Sequence, residues 1–466
     1  MRWQNDQIPI LQLGTDFYDP VTPAPFPEKT LRYWNEQLGL TIDKDRLWDF
    51  LPLEKNMPQP LALRYHGHQF QHYNPDLGDG RGFLFAQIKN GSQWFDLGTK
   101  GSGQTPYSRR GDGRLTLKGA LRESLATEML ESLGVKTSKT VCFYETGEKL
   151  IRGDEPSPTR SAVLTRYTLG HIRIGTFQRL AALNQIDNIK KLLSYCFNFY
   201  YQDEFKKIGA MDDRLLATRF LQLVVQANAQ LVAQVMMSGF VHGVLNSDNI
   251  NISGELFDFG PYRFMPEYNL SFTAAYFDEQ GLYCYGRQPS AFLWNLHQLA
   301  ESLKVSYPGL PTEEILESFS IEFNQSIHKH FLIRLNLKSP SDDDTAQLVA
   351  LFFTLAEEHK LLFEQTFFDF NSLKVLRSSE VQKKYASCGL LFSELLEFLK
   401  RFEVEDRNKA DHPYFQNEKP TTLLIDDIEK IWAAIAENDD WSLFNQKLQS
   451  IRLFRGLFDE VGRFSS

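Results

Sequence analysis

Three oxygen-bearing residues stand close together in VHGVLNSDNINISGELFDFGP, residues 241–261: Asp248, Asn249 and Asp258. An amide and a carboxylate are the hard donors that Mg²⁺ accepts, and one or two of them suffice where phosphates complete its shell. The short apolar runs INI and LFDF predict a hairpin that sets Asn249 beside Asp258. Asp248 is the spare carboxylate nearby, or else a turn or cap residue of NSDN. Upstream, Lys100 closes a strand pattern and Glu123 lies in the helical pattern that follows. A strand lysine held by a helix glutamate presents a fixed cation to a phosphate. Read singly, Lys100 is a solvated strand end and Glu123 an exposed helix residue paired with Arg122. Gly78, Gly80 and Gly82 of LGDGRGFLFAQI are placed either to let backbone amides approach phosphate or simply to make a turn. Between Lys100 and Glu123 runs GSGQTPYSRRGDGRLT, residues 101–116, with Arg109, Arg110 and Arg114. Arginine forks pair bidentately with phosphate oxygens, so this basic loop is the candidate for holding a polyphosphate. A solvated surface loop is the competing reading.

The elements that must carry these groups follow from periodicity. Residues 1–60 are proline-rich, as in DPVTPAPFPEK and LPLEKNMPQPL, and are expected to form an extended arm. FLFAQI and QWFDLGTK flank Asn90-Gly91, a pair that favours a tight hairpin turn because both residues tolerate positive φ. From Thr116, apolar residues recur every four positions as far as Leu133, with Gly134 as the stop. Further strands are expected in TVCFYET and SAVLTRY. A long helix is expected from Asp212 to Met237, and others over 290–304, 312–332, 343–365, 389–402 and 425–436. The order predicts a strand-rich first lobe over 61–175 and a helical second lobe over 176–466.

The 466 residues are enough for two such lobes with large cores. With 50 basic against 59 acidic residues the net charge is −9, which argues against nucleic acid as the main partner. Cys142, Cys196, Cys284 and Cys388 are scattered without metal-ligand or disulfide spacing, as expected in a reducing cytoplasm. The start MRWQNDQIPILQLG lacks the charge and apolar pattern of a secretory leader, and no run of 18 apolar residues predicts a membrane span.

The order of glycine loop, lysine, glutamate, asparagine and Asp-Phe-Gly is similar to that of protein kinases, whose catalytic loop places Asp two residues after His and Asn five further on. Counting from His242, Asn249 is in register, but Val244 stands where the catalytic carboxylate belongs. Valine accepts no proton. Phosphoryl chemistry rests mainly on positioning and charge neutralisation, so a displaced base is compatible with activity of altered geometry.

HGHQF, LGDGRG, TPYSRRGDGR, LTRYTLGHIRIGTF, HGVLNSDN, FDFGP and QPSAFLWNL, in this order, span about half the chain from end to end. On them it resembles the selenoprotein O family of protein adenylyltransferases. The resemblance implies an α+β, protein-kinase-like bilobal fold with a strand-rich N-lobe and a larger helical C-lobe. It implies transfer of AMP from ATP, bound end for end relative to kinases, to hydroxyl side chains of proteins, with Mg²⁺ or Mn²⁺. Carried over motif by motif, Gly78, Gly80, Arg81, Lys100, Asp112, Gly113, Arg166, Arg173 and Asp258 would contact ATP. Glu123 would support Lys100, Asn249 and Asp258 would hold the metal, and Asp248 would be the base. Spacing alone makes Arg166 and Arg173 surface charges on one side of a helix or at the ends of a turn; phosphates held deep would require them as cations. The chain ends GLFDEVGRFSS, without the cysteine or selenocysteine common near the family's C-terminus, which puts redox control of that kind in doubt. The competing functions are a nucleotide-binding pseudokinase scaffold, UMP transfer from UTP with Mn²⁺, and a small-molecule kinase whose essential Asp is the residue replaced.

Overall fold

A computed structural model describes residues 7–51, 53, 57–153, 155–204 and 212–459. The first six residues of the expected arm and the last seven of the chain lie outside the described residues. The fold is α+β: an antiparallel sheet is built mainly before residue 170, and helices dominate after it.

The sheet contains β1 (Tyr18–Pro20), β2 (Thr30–Trp34), β3 (Leu61–Leu63), β6 (Leu84–Asn90), β7 (Gln93–Lys100), β8 (Leu115–Thr116), β9 (Lys139–Leu150) and β10 (Thr159–Thr168). A separate hairpin joins β4 (Gly67–Gln69) to β5 (His72–Asn74). The order across the sheet is β1-β3-β6-β7-β10-β9-β2, with β8 also on β10. Asn90 pairs with Gln93 across the expected turn, where Gly91 has φ 59°. The proline-rich segment is more than an extended arm, because β1 and β2 close the two edges of the sheet. Its short helix α1 (Lys44–Trp48), with Phe50, helps cover one sheet face over Phe85, Leu97, Tyr144 and Val163.

Helix α2 (Leu117–Ser132) lies on the other face. The Thr116 hydroxyl accepts from the Gly119 amide and starts it, and Gly134 at φ 78° follows its end. Helices α3 (Ile174–Ala182), α4 (Ile186–Tyr200), α5 (Asp213–Met237), α6 (Gln288–Lys304) and α7 (Thr312–Leu335) come next. α5 packs along α7 and α6. By length and composition α5 could cross a membrane, but its most apolar window is 78% buried inside the protein, as in a core helix. The helix expected over 343–365 is two helices, Asp342–Glu358 and Phe363–Phe370. They break at Lys360, which has φ 48°, where Leu361 and Leu362 pair with the chain around Glu267. The chain closes with Ile425–Asn438 and a C-terminal helix, Ser442–Arg452, which packs on α2.

Candidate functional site

The ends of β7 and β10, the glycine segment 79–83 and the residues before α3 surround a cleft. Lys100, the last residue of β7, donates from Nζ to Glu123 Oε2 at 2.6 Å and to Asp258 Oδ1 at 2.7 Å. Arg166 Nη2 bridges the same two carboxylates, at 2.8 Å from Glu123 Oε1 and 3.3 Å from Asp258 Oδ1. Arg173 donates to Asp79 at 3.1 Å, to the Tyr65 hydroxyl at 3.1 Å and to the Asp248 carbonyl at 3.0 Å. Its guanidinium also lies 4.4 Å and 4.7 Å from the ring centroids of Tyr65 and Phe257. All three cations and Glu123 are buried, so the solvated readings of Lys100 and Glu123 do not hold.

Nor are Arg166 and Arg173 surface charges. Arg166 is a strand residue of β10 opposite Gly98, and Arg173 immediately precedes α3. Buried charge is tolerated only when paired, and here the partners Glu123, Asp258 and Asp79 come from three distant segments. Sequence spacing carries no trace of such pairing.

Asp248 lies in a 3-10 turn, Ser247–Asn249, against the β4–β5 hairpin, where Ser247 Oγ accepts from the His68 amide at 2.7 Å. Its side chain is buried, and Oδ1 has no hydrogen-bond partner. Burial raises its pKa to about 6 against the pull of Arg173. Asp258 responds in the opposite direction. Burial pushes its pKa up, but Lys100, Arg166, Arg173 and Arg81 outweigh that and hold it well below the usual carboxylate range. It also sits at φ 63°, a left-handed conformation uncommon for a residue with a side chain. Asn249 donates Nδ2 to the Val244 carbonyl at 3.0 Å, so Val244 orients the amide through its backbone.

The hairpin expected between INI and LFDF does not form. Asn251 bridges to Arg173 and Leu256 to Thr137. The Ile174 amide donates to the Ile250 carbonyl at 3.1 Å, and the Ile252 amide to that of Ile172 at 3.1 Å. The chain entering α3 has taken the bonds a hairpin would have used. Among the described residues no group of three or more His, Cys, Asp or Glu is placed to hold a metal. The hairpin's loss removes the expected reason for Asn249 to stand beside Asp258; of the two, Asp258 lines the cleft and Asn249 does not.

The glycines have a steric cause in the protein itself. A Cβ on Gly78 would lie 2.2 Å from the Tyr107 ring, and one on Gly82 would lie 2.0 Å from the Thr99 carbonyl. Gly80, Arg81 and Gly82 line the cleft, whereas Gly78, Asp112 and Gly113 are not part of that lining. Asp112 pairs with Arg152 at 2.8 Å, and Gly113 packs on the Gly103 backbone. Arg114 is taken up by Glu148 at 2.7 Å, while Arg109 and Arg110 are exposed. The charge of Arg109 acts on Asp248. Tyr65, Asp79 and His171 line the cleft without having been singled out as candidates. Asp79 and His171 lie inside LGDGRG and LTRYTLGHIRIGTF, and an acid or imidazole among motif cations was the available signal.

Residues 5–452 match the family model described as protein adenylyltransferase SelO. The chain belongs to the SelO family. A protein nucleotidyltransferase YdiU of Synechocystis is 41% identical over 94% of this chain and 96% of its own length. The protein of that name from Trichormus variabilis is also 41% identical, over 96% of both chains. One from Bacillus cereus is 32% identical over 94% of this chain and 90% of its own. Membership places the chain among the nucleotidyltransferases, enzymes of nucleotidyl transfer.

Proposed function

We propose that this family member transfers AMP from ATP to serine, threonine or tyrosine hydroxyls of other proteins. One observation carries the reading: three buried cations, Lys100, Arg166 and Arg173, converge on Asp258, close to the unpartnered carboxylate oxygen of Asp248. ATP lies with its β and γ phosphates on these cations and its α-phosphorus toward Asp248. Gly80 and Arg81 meet the nucleotide from the glycine segment, and Gly78 supports that segment against Tyr107. Asp112 and Gly113 contact the nucleotide from the 101–116 loop. The protein then has two kinase-like lobes, residues 61–175, whose sheet is edged by β1 and β2 of the preceding segment, and 176–466.

The acceptor oxygen attacks the α-phosphorus and its proton passes to Asp248. With a pKa of about 6 this group is mostly ionised at neutral pH and can take the proton. The bond between the α-phosphorus and the bridging oxygen breaks, and pyrophosphate leaves with the electron pair. Lys100, Arg166 and Arg173 neutralise the charge that develops on it, and Glu123 keeps the first two in place. Asn249 and Asp258 would hold a divalent cation, which supplies further neutralisation of the phosphates.

ATP labelled at the α-phosphate, incubated with the protein, Mg²⁺ and candidate acceptors, is expected to label protein, whereas γ-labelled ATP is not. Label arriving from the γ position overturns the reading in favour of a kinase. No label from either position points to a scaffold, and stronger transfer from α-labelled UTP with Mn²⁺ changes the nucleotide but not the reaction.

A further inference from the structure

We propose that His171 is an additional contact of the terminal phosphates, at the inner wall of the cleft; the inference rests on the nucleotide reading above. Successive side chains of a strand alternate between faces, so Asp96, Gly98 and Lys100 of β7 share one face. Across the ladder Arg166 stands opposite Gly98. Gly98 contributes no side chain, and the His171 ring occupies the place one would take. A Cβ on Gly98 would lie 2.4 Å from His171 Nε2. The imidazole therefore fills a slot bounded by Lys100 and Asp96 along the strand and by Arg166 across it, and it lines the cleft with those cations.

Asp96 fixes the ring. Its Oδ2 accepts from His171 Nδ1 at 3.0 Å and from the His171 amide at 2.9 Å, while Oδ1 accepts from Gln87 Nε2 at 2.6 Å. Nδ1 is thereby committed to the carboxylate, and Nε2 is the ring atom left for a ligand. The cleft lining around it holds the cations Arg81, Lys100, Arg166 and Arg173 and the carboxylates Asp79 and Asp258, with Asp96 behind the ring. A phosphate would share those cations with the carboxylates that already pair them. Nε2 is the ring atom that meets a phosphate oxygen, with the Asp96 carboxylate behind Nδ1, as carboxylates stand behind other ligand-binding imidazoles. Filling the slot over Gly98 would need no such carboxylate.

The test measures affinities of the full-length protein by titration calorimetry, for ATP, AMP and pyrophosphate, in wild type, His171→Ala and His171→Gln. AMP lacks the phosphates in question, so it serves as the internal control. His171→Ala is expected to weaken ATP and pyrophosphate roughly tenfold, the scale of a lost hydrogen bond to a charged group, and to leave AMP unchanged. His171→Gln, which fills the slot and keeps an uncharged donor, is expected to fall between the two, and it carries the test if the alanine variant does not fold. Equal weakening of ATP and AMP, or no change in either, overturns the contact and leaves a space-filling role. A wild type that binds none of the three overturns the nucleotide reading itself and this inference with it.

Discussion

Helix α2 is gripped on two sides by carboxylates and cations, and the two grips differ in completeness. On the cleft side Glu123 takes Lys100 and Arg166, both of which also reach Asp258. On the other side Glu128 takes Arg452 and Arg455 from the C-terminal segment at 3.0 Å and 2.7 Å, and the Tyr33 hydroxyl at 2.6 Å. Every oxygen of Glu128 is used. In the cleft Arg166 Nε and Arg173 Nε, and outside its lining Asp248 Oδ1, have no partner, while on the brace Arg455 Nε has none. The same residue types thus make, in one place, a brace whose carboxylate oxygens are all used and, in the other, a site beside which a buried carboxylate oxygen is left open.

The contrast breaks most visibly at Asp258. Asp258→Ala is expected to lower nucleotidyl transfer on the order of a thousandfold, with a cooperative thermal transition retained in calorimetry. Transfer at the parental rate would remove Asp258 from the site. Asp248→Asn is expected to cost about a hundredfold or more in kcat, the scale of a lost general base, with ATP affinity little changed. A rise in KM alone would make Asp248 a binding group.

On the brace the loss should appear in stability instead. Glu128→Ala strands two arginines and is expected to cost about 3–5 kcal/mol in denaturant unfolding, with kcat per folded molecule near normal. A collapse of kcat without a loss of stability would erase the distinction between the two sides. Titration sharpens it further. Burial raises the Glu128 pKa, but Arg452, Arg455 and Tyr33 outweigh that and lower it. A depressed folded pKa contributes stability that is present above the ordinary carboxylate value and lost as pH falls through the folded one. Acid unfolding curves of wild type and Glu128→Gln should therefore converge only below about pH 4. The catalytic rate should already fall as pH drops through about 6, where Asp248 takes up its proton. The smallest effect is expected for Arg452→Lys, about 1 kcal/mol, because charge is kept and the fork is lost.

Local chemistry was legible in the sequence wherever the cause was local. Asn90-Gly91 dictates its turn, Thr116 starts α2 and Asp212 caps α5, its side chain accepting from the Leu215 amide. The pairing of Lys100 with Glu123 was legible only from their kinase-like order and spacing, since each taken singly reads as solvated. Spacing alone misplaces Arg166 and Arg173, which only the family resemblance sets deep, because their burial depends on Asp79, Glu123 and Asp258, residues scattered through the chain. The expected hairpin beside Asn249 failed for the same reason: a third segment competed for its backbone bonds. Tyr33 and Arg452, which share Glu128, lie 419 positions apart, beyond the reach of any periodicity.

The glycine segment has a further consequence. Thr105 Oγ1 donates to the Asp79 carbonyl, Ser108 Oγ donates to the Gly80 carbonyl, and the Tyr107 ring lies against Gly78. The segment is thus stapled to the next loop by the protein's own groups. A loop ordered in advance loses little conformational freedom on association. Nucleotide capture here resembles a key entering a lock already cut, rather than a hand closing.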